Sequence, residues 1–436
     1  MPTGGWSRVR RATVAFAAAT TLLASAVSAA PYLVADADNG QVLLQRDATE
    51  IWYPASLTKL MTVYVALDAV RAGRLTMDTP LVMSARAARM PPSKMGFRPG
   101  TQVTLDNALK MLMVKSPNDV AVMIAEGISG SVPAFANEMN ATAARLGMHE
   151  SHFVNPNGLH NPDHYSSARD MAMIARALLH DFPEDAGLFS IGELQLANQI
   201  IRNHNGLLGR YPGADGMKTG FTCPAGFNVV ATANHWGRHL IVVVMGSPSA
   251  KLRTQEAADL FDRGFAMGGG SATLESLASG SGEKPGPQTN ICRRRSAVVA
   301  AAADEDSAEA LQGQTPGFGP FGLFAASAPV HTVLSDERPD FNPVPVFVGA
   351  EPGWNGPVLS ARGTDAVLPK EAKAYVAETP DASAPAALKS VVKTPTAHRA
   401  KGARHAQKHM KPLAKPPTKT AKSGPAKEPE KNSEAQ

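Results

Sequence analysis

Apolar and polar residues alternate over 32–44 around Asp38-Asn39-Gly40, a period of two that predicts a hairpin closed by a tight turn at Asn39-Gly40. From Ser56 the period lengthens. Leu57, Leu60, Met61, Val65 and Leu67 fall near helical spacing with no internal Gly or Pro, which predicts a helix over 56–72 with Ser56 at its amino terminus. Helices are expected over 105–113 and 118–126, broken by Ser116-Pro117, and again over 132–146. Another is expected over 167–180, after the loop Asn155-Pro156-Asn157-Gly158, and an element of unassigned type over 188–201. Strand patterning returns near Lys218, over 226–233 and over 239–245, the last two joined by a turn at Trp236-Gly237, and a helix over 252–265 closes the pattern. Strands, then helices, then strands and a final helix predict an α+β fold: an antiparallel sheet completed by both ends of the domain and flanked by helices, with an all-helical subregion.

The patterning stops near Gly269, beyond which the chain drifts into Ala, Pro, Ser, Gly and Lys. Residues 270–436 are therefore expected to be a low-complexity, mostly disordered tail with one short element near 344–349, and residues 30–269 the folded domain. At the other end, Arg8, Arg10 and Arg11 precede an apolar, Ala-rich run over 12–27 that finishes in small residues. This predicts a secretory signal peptide over 1–29, cut after Ala29 or at the neighbouring Ala26 or Ala30, with a retained anchor as the alternative. No later segment is apolar for long enough to span a bilayer.

The formal charge of +5 includes a basic run between His398 and Lys431. It is either a solvated linker or a peripheral attachment to anionic wall or membrane surfaces, and no nucleic-acid partner is expected. The two cysteines, Cys223 and Cys292, are too few and too scattered for a zinc site. In an oxidising compartment they pair, tying the end of the domain back towards its middle; otherwise they are two free thiols.

Ser56-Leu57-Thr58-Lys59 sets a hydroxyl and an amine one helical turn apart, facing the same way. A serine hydroxyl attacks a carbonyl only when a base takes its proton, and lysine is such a base only when its ordinary pKa of about 10.4 is lowered enough to leave it neutral. The spacing alone is weak, since Ser281 and Lys284 repeat it in a Gly/Pro-rich stretch; only Ser56 precedes an apolar helix that could hold the pair rigid. His160 and His164 have a spacing seen in metal sites, but Pro162 lies between them, and shaping of the loop is the expected role. Arg169 and Asp170 are expected to brace that loop by ion pairing.

Ser116-Pro117-Asn118 makes a polar corner between helices, and Lys218-Thr219-Gly220 lies on an expected strand followed by Phe221. With Ser56-Leu57-Thr58-Lys59 these resemble the S-x-x-K, S-x-N and K-T-G set of penicillin-binding proteins. Three further stretches, 153–159, 164–172 and Asp215-Gly216-Met217, look like those of the low-molecular-mass D-alanyl-D-alanine carboxypeptidases, so the resemblance covers about 32–265. It implies a β-lactamase/transpeptidase-like fold and makes 30–269 a D,D-peptidase catalytic domain. It further implies Ser56 as acylated nucleophile, Lys59 as proton acceptor, and Ser116 and Asn118 as cleft residues that relay protons and hold the substrate amide. By the same resemblance Lys218 and Thr219 contact a terminal carboxylate, Gly220 lets the substrate lie along the strand, and the amides of Ser56 and Phe221 form an oxyanion hole. Arg253 resembles a family arginine, which implies a supporting role in carboxylate binding.

The partners so implied are peptidoglycan stem peptides and β-lactam antibiotics, acting in the periplasm or cell envelope, with no metal or organic cofactor required. The alternatives are a D,D-endopeptidase or transpeptidase, a serine β-lactamase, and a catalytically silent wall-binding or penicillin-sensing protein. Class A β-lactamases place a Glu four residues before an Asn between the second and third motifs, and none of Glu126, Glu138, Glu150, Glu184 or Glu193 does so. Many relatives also carry a second β-rich domain and an amphipathic carboxy-terminal anchor helix; neither pattern is evident between Ser271 and Gln436.

Overall fold

The structure is a computed structural model and describes residues 1, 30–285, 291–294, 334–335, 337–361 and 363–365. The chain divides into two compact units, Met1–Ala384 and Pro385–Gln436, and every described residue belongs to the first. The expected signal peptide, apart from Met1, and the basic run from His398 to Lys431 lie outside the described residues.

In chain order, β1 (Tyr32–Asp36) and β2 (Gln41–Arg46) lead through a 3-10 turn, Ala55–Leu57, into α1 (Thr58–Arg71). Then come β3 (Pro80–Val82), α2 (Ala85–Ala88), β4 (Gln102–Thr104), α3 (Leu105–Val114), α4 (Asn118–Ser129), α5 (Val132–Arg145) and α6 (Ala168–Asp181). The hairpin of β5 (Glu193–Leu196) and β6 (Gln199–Arg202) precedes the long strands β7 (Ala214–Thr222), β8 (Gly226–His235) and β9 (Arg238–Ser247), and α7 (Ala250–Phe265) follows. Short strands β10 (Ala272–Thr273), β11 (Val344–Val346), β12 (Val358–Ser360) and β13 (Gly363–Asp365) lie downstream.

The main sheet has the order β10-β2-β1-β9-β8-β7 with antiparallel pairings, so strands from both ends of the domain close it, as an α+β fold requires. Its central strand β9 is an unbroken apolar run because both faces are covered. Leu240, Val242 and Val244 face Ala257, Leu260 and Phe261 of α7, while Ile241, Val243 and Met245 belong to the larger core with α1, α3, α4 and α6. Local chemistry fixes the boundaries. Gly40, at φ 72, makes the expected hairpin turn; Thr104, Ser131, Ser167 and Ser249 cap α3, α5, α6 and α7 with side-chain oxygens; Gly130 ends α4.

Three expectations are corrected. Ser56 lies in a 3-10 turn and α1 begins at Thr58. The unassigned stretch over 188–201 holds the end of a 3-10 turn, Pro183–Ser190, and the β5–β6 hairpin. The folded domain does not stop at 269: β10 extends the main sheet, β11 pairs in parallel with β5, and β12 pairs in parallel with β3. These additions dock by single residues and not by periodic faces. A Cβ placed on Gly192 would strike the Phe341 ring, and one on Gly209 would strike Pro339 and Phe341, so two glycines make the seat for the later segment. Lys284 reaches Asp163 at 2.8 Å, so the second Ser/Lys pair serves as a surface tie.

Candidate active site

Ser56 is held by what precedes and faces it. Ala55 adopts a left-handed φ of 49, an unusual state for a residue with a side chain, and Gly158 packs so closely that an added Cβ would strike the Ala55 carbonyl. From the other side, a Cβ on Gly220 of β7 would come within 2.9 Å of the Ser56 nitrogen and 3.1 Å of the Pro54 oxygen. Gly220 is thus the glycine that lets β7 pack against the serine turn. On the neighbouring strand, paired with Gly220, the buried Asn228 donates to the Tyr53 and Pro54 carbonyls and accepts from the Gly246 N–H.

Lys59, fully buried at the second position of α1, gathers the centre. Its Nζ lies 2.8 Å from Ser56 Oγ, 3.0 Å from Asn118 Oδ1 and 2.8 Å from the Asn157 carbonyl oxygen. Asn118 opens α4, and its Nδ2 donates to the carbonyls of Pro91 and Pro92 at 3.0 and 3.1 Å, so both ends of the amide are engaged. Asn118 thus joins Lys59 to the 91–93 loop. The neighbouring Asp119 fastens the same loop by accepting from Met95 and Gly96 N–H. Ser116 sits at φ 61 in the corner before α4, and its buried Oγ has no hydrogen-bond partner among the described residues.

The 155–164 loop supplies the third side. Asn155 Oδ1 accepts from Asn157 and Gly158 N–H, which curls the chain so that the Asn157 carbonyl points at Lys59. His164 lies 2.7 Å from Thr58 Oγ1, and its Nδ1 accepts from the Val154 N–H. Burial pushes the imidazole down from 6.5 to about 3, so it is neutral at ordinary pH. With Nδ1 an acceptor, the proton sits on Nε2 and is donated to Thr58. Behind the loop, Arg169 pairs with Glu150 and Asp170, both at 2.8 Å, and donates to the Leu274 and Gly147 carbonyls, as the bracing role requires. Among the described residues no cluster of three His, Cys, Asp or Glu could hold a metal.

The cleft beside Ser56 is lined by Ser116 and Asn118, by Pro92 and Ser93, by residues 157–159, and by His204, Phe221 and Thr222. Lys218 and Thr219 lie just before Gly220 on β7, each 2 % exposed, and Lys218 Nζ donates to the Thr219 carbonyl. Arg253 lines an adjoining groove that meets the cleft at His204, and its Nη2 is 3.4 Å from the His204 carbonyl. Cys223, just after β7, is disulfide-bonded to Cys292 with Cα atoms 5.2 Å apart, and packs with Phe221 and Phe227, whose rings stack at 4.4 Å. Sequence reasoning missed Gly158, Asn228 and His204. Asn228 left a trace as the polar residue inside the apolar run of β8; nothing local marks His204.

Residues 17–249 match the family model described as D-alanyl-D-alanine carboxypeptidase, slightly more than half of the chain. Over 255 residues the chain is 38% identical to the D-alanyl-D-alanine carboxypeptidase DacA of Haemophilus influenzae, covering 57% of this chain and 65% of that protein. Over 261 residues it is 35% identical to DacC of Escherichia coli, covering 58% and 65%. The chain thus spans just under two thirds of the length of these curated relatives. Penicillin binding protein 5 from Haemophilus influenzae superposes with a TM-score of 0.52 at 37% identity, covering 55% of this chain and 71% of that structure. Motif order, sheet topology and these matches agree: the chain belongs to the D-alanyl-D-alanine carboxypeptidase family.

Proposed function

We propose that the protein is a serine D-alanyl-D-alanine carboxypeptidase that removes the terminal D-alanine from peptidoglycan pentapeptides through an acyl-enzyme on Ser56, and that penicillin acylates the same serine. The observation that carries this reading is the set of contacts around Lys59. Lys59 Nζ donates to Ser56 Oγ, Asn118 Oδ1 and the Asn157 carbonyl, one N–H group of an ammonium for each; once a proton is lost, Asn118 and Asn157 can keep the two remaining N–H groups and leave the lone pair for the Ser56 hydroxyl. These contacts support Lys59 as the base, since its Nζ lies at hydrogen-bond distance from Ser56 Oγ.

Ser56 Oγ bonds to the penultimate D-alanine carbonyl, and the tetrahedral oxyanion receives the N–H groups of Ser56 and Phe221. The C–N bond then breaks, D-alanine leaves with the proton passed from Lys59 by way of the Ser116 hydroxyl, and water hydrolyses the ester. Lys218 and Thr219 hold the terminal carboxylate and Arg253 backs them. Arg8, Arg10, Arg11 and the apolar run after them support export to the cell envelope. Release of D-alanine from a pentapeptide by the wild type and its loss in Ser56→Ala test the reading. Fluorescent-penicillin labelling that persists in Ser56→Ala would remove the serine from its role.

A further inference from the structure

We infer that Arg338 is a positioning residue for the carboxylate-binding end of the cleft: its guanidinium fixes the 203–205 turn and, through that turn, His204 and Arg253. The inference rests on the acyl-transfer reading of Ser56 above. It adds a working part that lies outside residues 17–249, the stretch that the family model matches.

The turn belongs to the connection from β6 to β7, and His204 within it lines both the Ser56 cleft and the adjoining groove. Three successive carbonyls here meet arginines from two distant parts of the chain. Arg338 donates from Nη1 to the Asn203 carbonyl at 2.7 Å and from Nη2 to the Asn205 carbonyl at 2.6 Å. Between them, the His204 carbonyl is 3.4 Å from Arg253 Nη2. A planar, permanently charged fork holds two carbonyls at a fixed spacing, which an ammonium on a flexible stem cannot do. Arg338 thus sets the geometry of the peptide on which Arg253 leans.

The same turn is tied to the strand that carries Lys218. Buried Asn205 donates from Nδ2 to the Gly216 carbonyl at 2.9 Å, two residues before Lys218 on β7, and its Oδ1 accepts from the Leu207 N–H. Asn203 Oδ1 accepts from the Asn205 N–H, and its Nδ2 donates to the Ile191 carbonyl. A displacement of residues 203–205 is therefore felt at Arg253 on one side and at the approach to Lys218 on the other.

Arg338 can act in this way because its own segment is anchored on both sides. Before it, the Ser335 N–H donates to the Arg210 carbonyl at 2.9 Å, and Arg210 Nε donates back to the Ser335 carbonyl at 2.7 Å. After it, Pro339 and Phe341 seat against Gly209, Phe341 also meets Gly192, and β11 pairs with β5 while Val346 joins the main core. The bonds of Lys59 to Ser56, Asn118 and Asn157 are made by other parts of the chain. Loss of Arg338 should accordingly weaken the hold on a ligand carboxylate far more than it slows proton transfer.

Single-turnover acylation of the full chain separates the half-saturating ligand concentration from the limiting rate. The probes are a pentapeptide and a penicillin, both of which carry a carboxylate. In Arg338→Ala the half-saturating concentration of each should rise roughly tenfold while the limiting rate stays within about threefold. Arg338→Lys keeps the charge but loses the fork, so it should recover less than half of that rise. Phe341→Ala loosens the anchor and leaves the guanidinium in place, and should raise the half-saturating concentration by a smaller factor. Should Arg338→Ala fail to fold, Arg338→Lys and Phe341→Ala carry the test alone. Wild-type behaviour in Arg338→Lys would show that charge and not carbonyl spacing is at work, and overturns the inference. A fall in limiting rate as large as the shift in half-saturation overturns it too, as do unchanged kinetics in the alanine variants. A wild type that neither releases D-alanine nor is labelled by penicillin overturns the Ser56 reading itself, and the role of Arg338 with it.

Discussion

The two ends of the cleft are built on different principles. At the serine end, Ser56, Lys59, Asn118 and Asn157 form one closed hydrogen-bonded set, supported by close backbone packing at Gly158 and Gly220 and by the neutral His164 behind Thr58. At the far end, Lys218, Arg253 and Arg338 donate to main-chain carbonyls, and the wall comes from a downstream segment fastened at a few points. The contrast teaches a division of labour. The serine end is over-determined, as the proton transfer proposed there would demand, whereas the far end sets Lys94, Lys115, Arg202 and Lys251 along an adjoining groove.

Breaking the closed set should have the largest effect. Lys59→Ala is expected to lower both D-alanine release and penicillin acylation by about 10³-fold, read by single-turnover kinetics on folded protein. Loss of only a fewfold would mean that another group takes the Ser56 proton. Cys292→Ser opens a 69-residue loop beside Phe221, and the entropic model gives a loss of about 4 kcal/mol, measured by urea denaturation. Gly158→Ala drives a methyl into the Ala55 backbone at φ 81 and should cost about 3 kcal/mol and most of the acylation rate. Gly237→Ala, at φ 76 with nothing within 4 Å, should cost only about 1 kcal/mol and leave acylation intact. Equal costs at the two glycines would show that backbone approach to Ala55 is not what restricts position 158.

The smaller effect is a pH dependence. His164 has a folded-state pKa near 3 against about 6.5 unfolded, so the unfolded chain takes up the proton first as pH falls. Stability from this group is complete above about pH 6.5 and is lost on acidification towards pH 3; between pH 7 and pH 5 the loss is about 2 kcal/mol. Denaturation of His164→Asn over that range should lack this increment relative to the wild type. An unchanged difference between the two pH values would show that another group carries it.

Much of the serine end was legible in the sequence because it is written in short-range form: a hydroxyl and an amine one turn apart, a polar corner before a helix, a strand tripeptide. The α+β order was legible for a related reason, since the periods of two and near 3.6 persist along elements with a buried face. What escaped was contact between distant backbones. Gly158 and Gly220 look like ordinary glycines until Ala55 and Ser56 are seen against them. Apart from the cysteine pair and the short element near 344–349, the residues after 269 escaped because Phe341 and Arg338 dock one at a time and leave no periodic trace.

The contacts of Lys59 span 59 residues to Asn118 and 98 to Asn157, and β7 arrives later still. Helix α1 can therefore acquire its turns within microseconds of being free to fold, yet on the proposed mechanism Ser56, in the turn before it, stays inert until loops of that length have closed. During refolding, capacity to be acylated should trail the helical circular-dichroism signal, so a partly folded chain should be chemically silent even though the proposed nucleophile and base are already neighbours in the polymer.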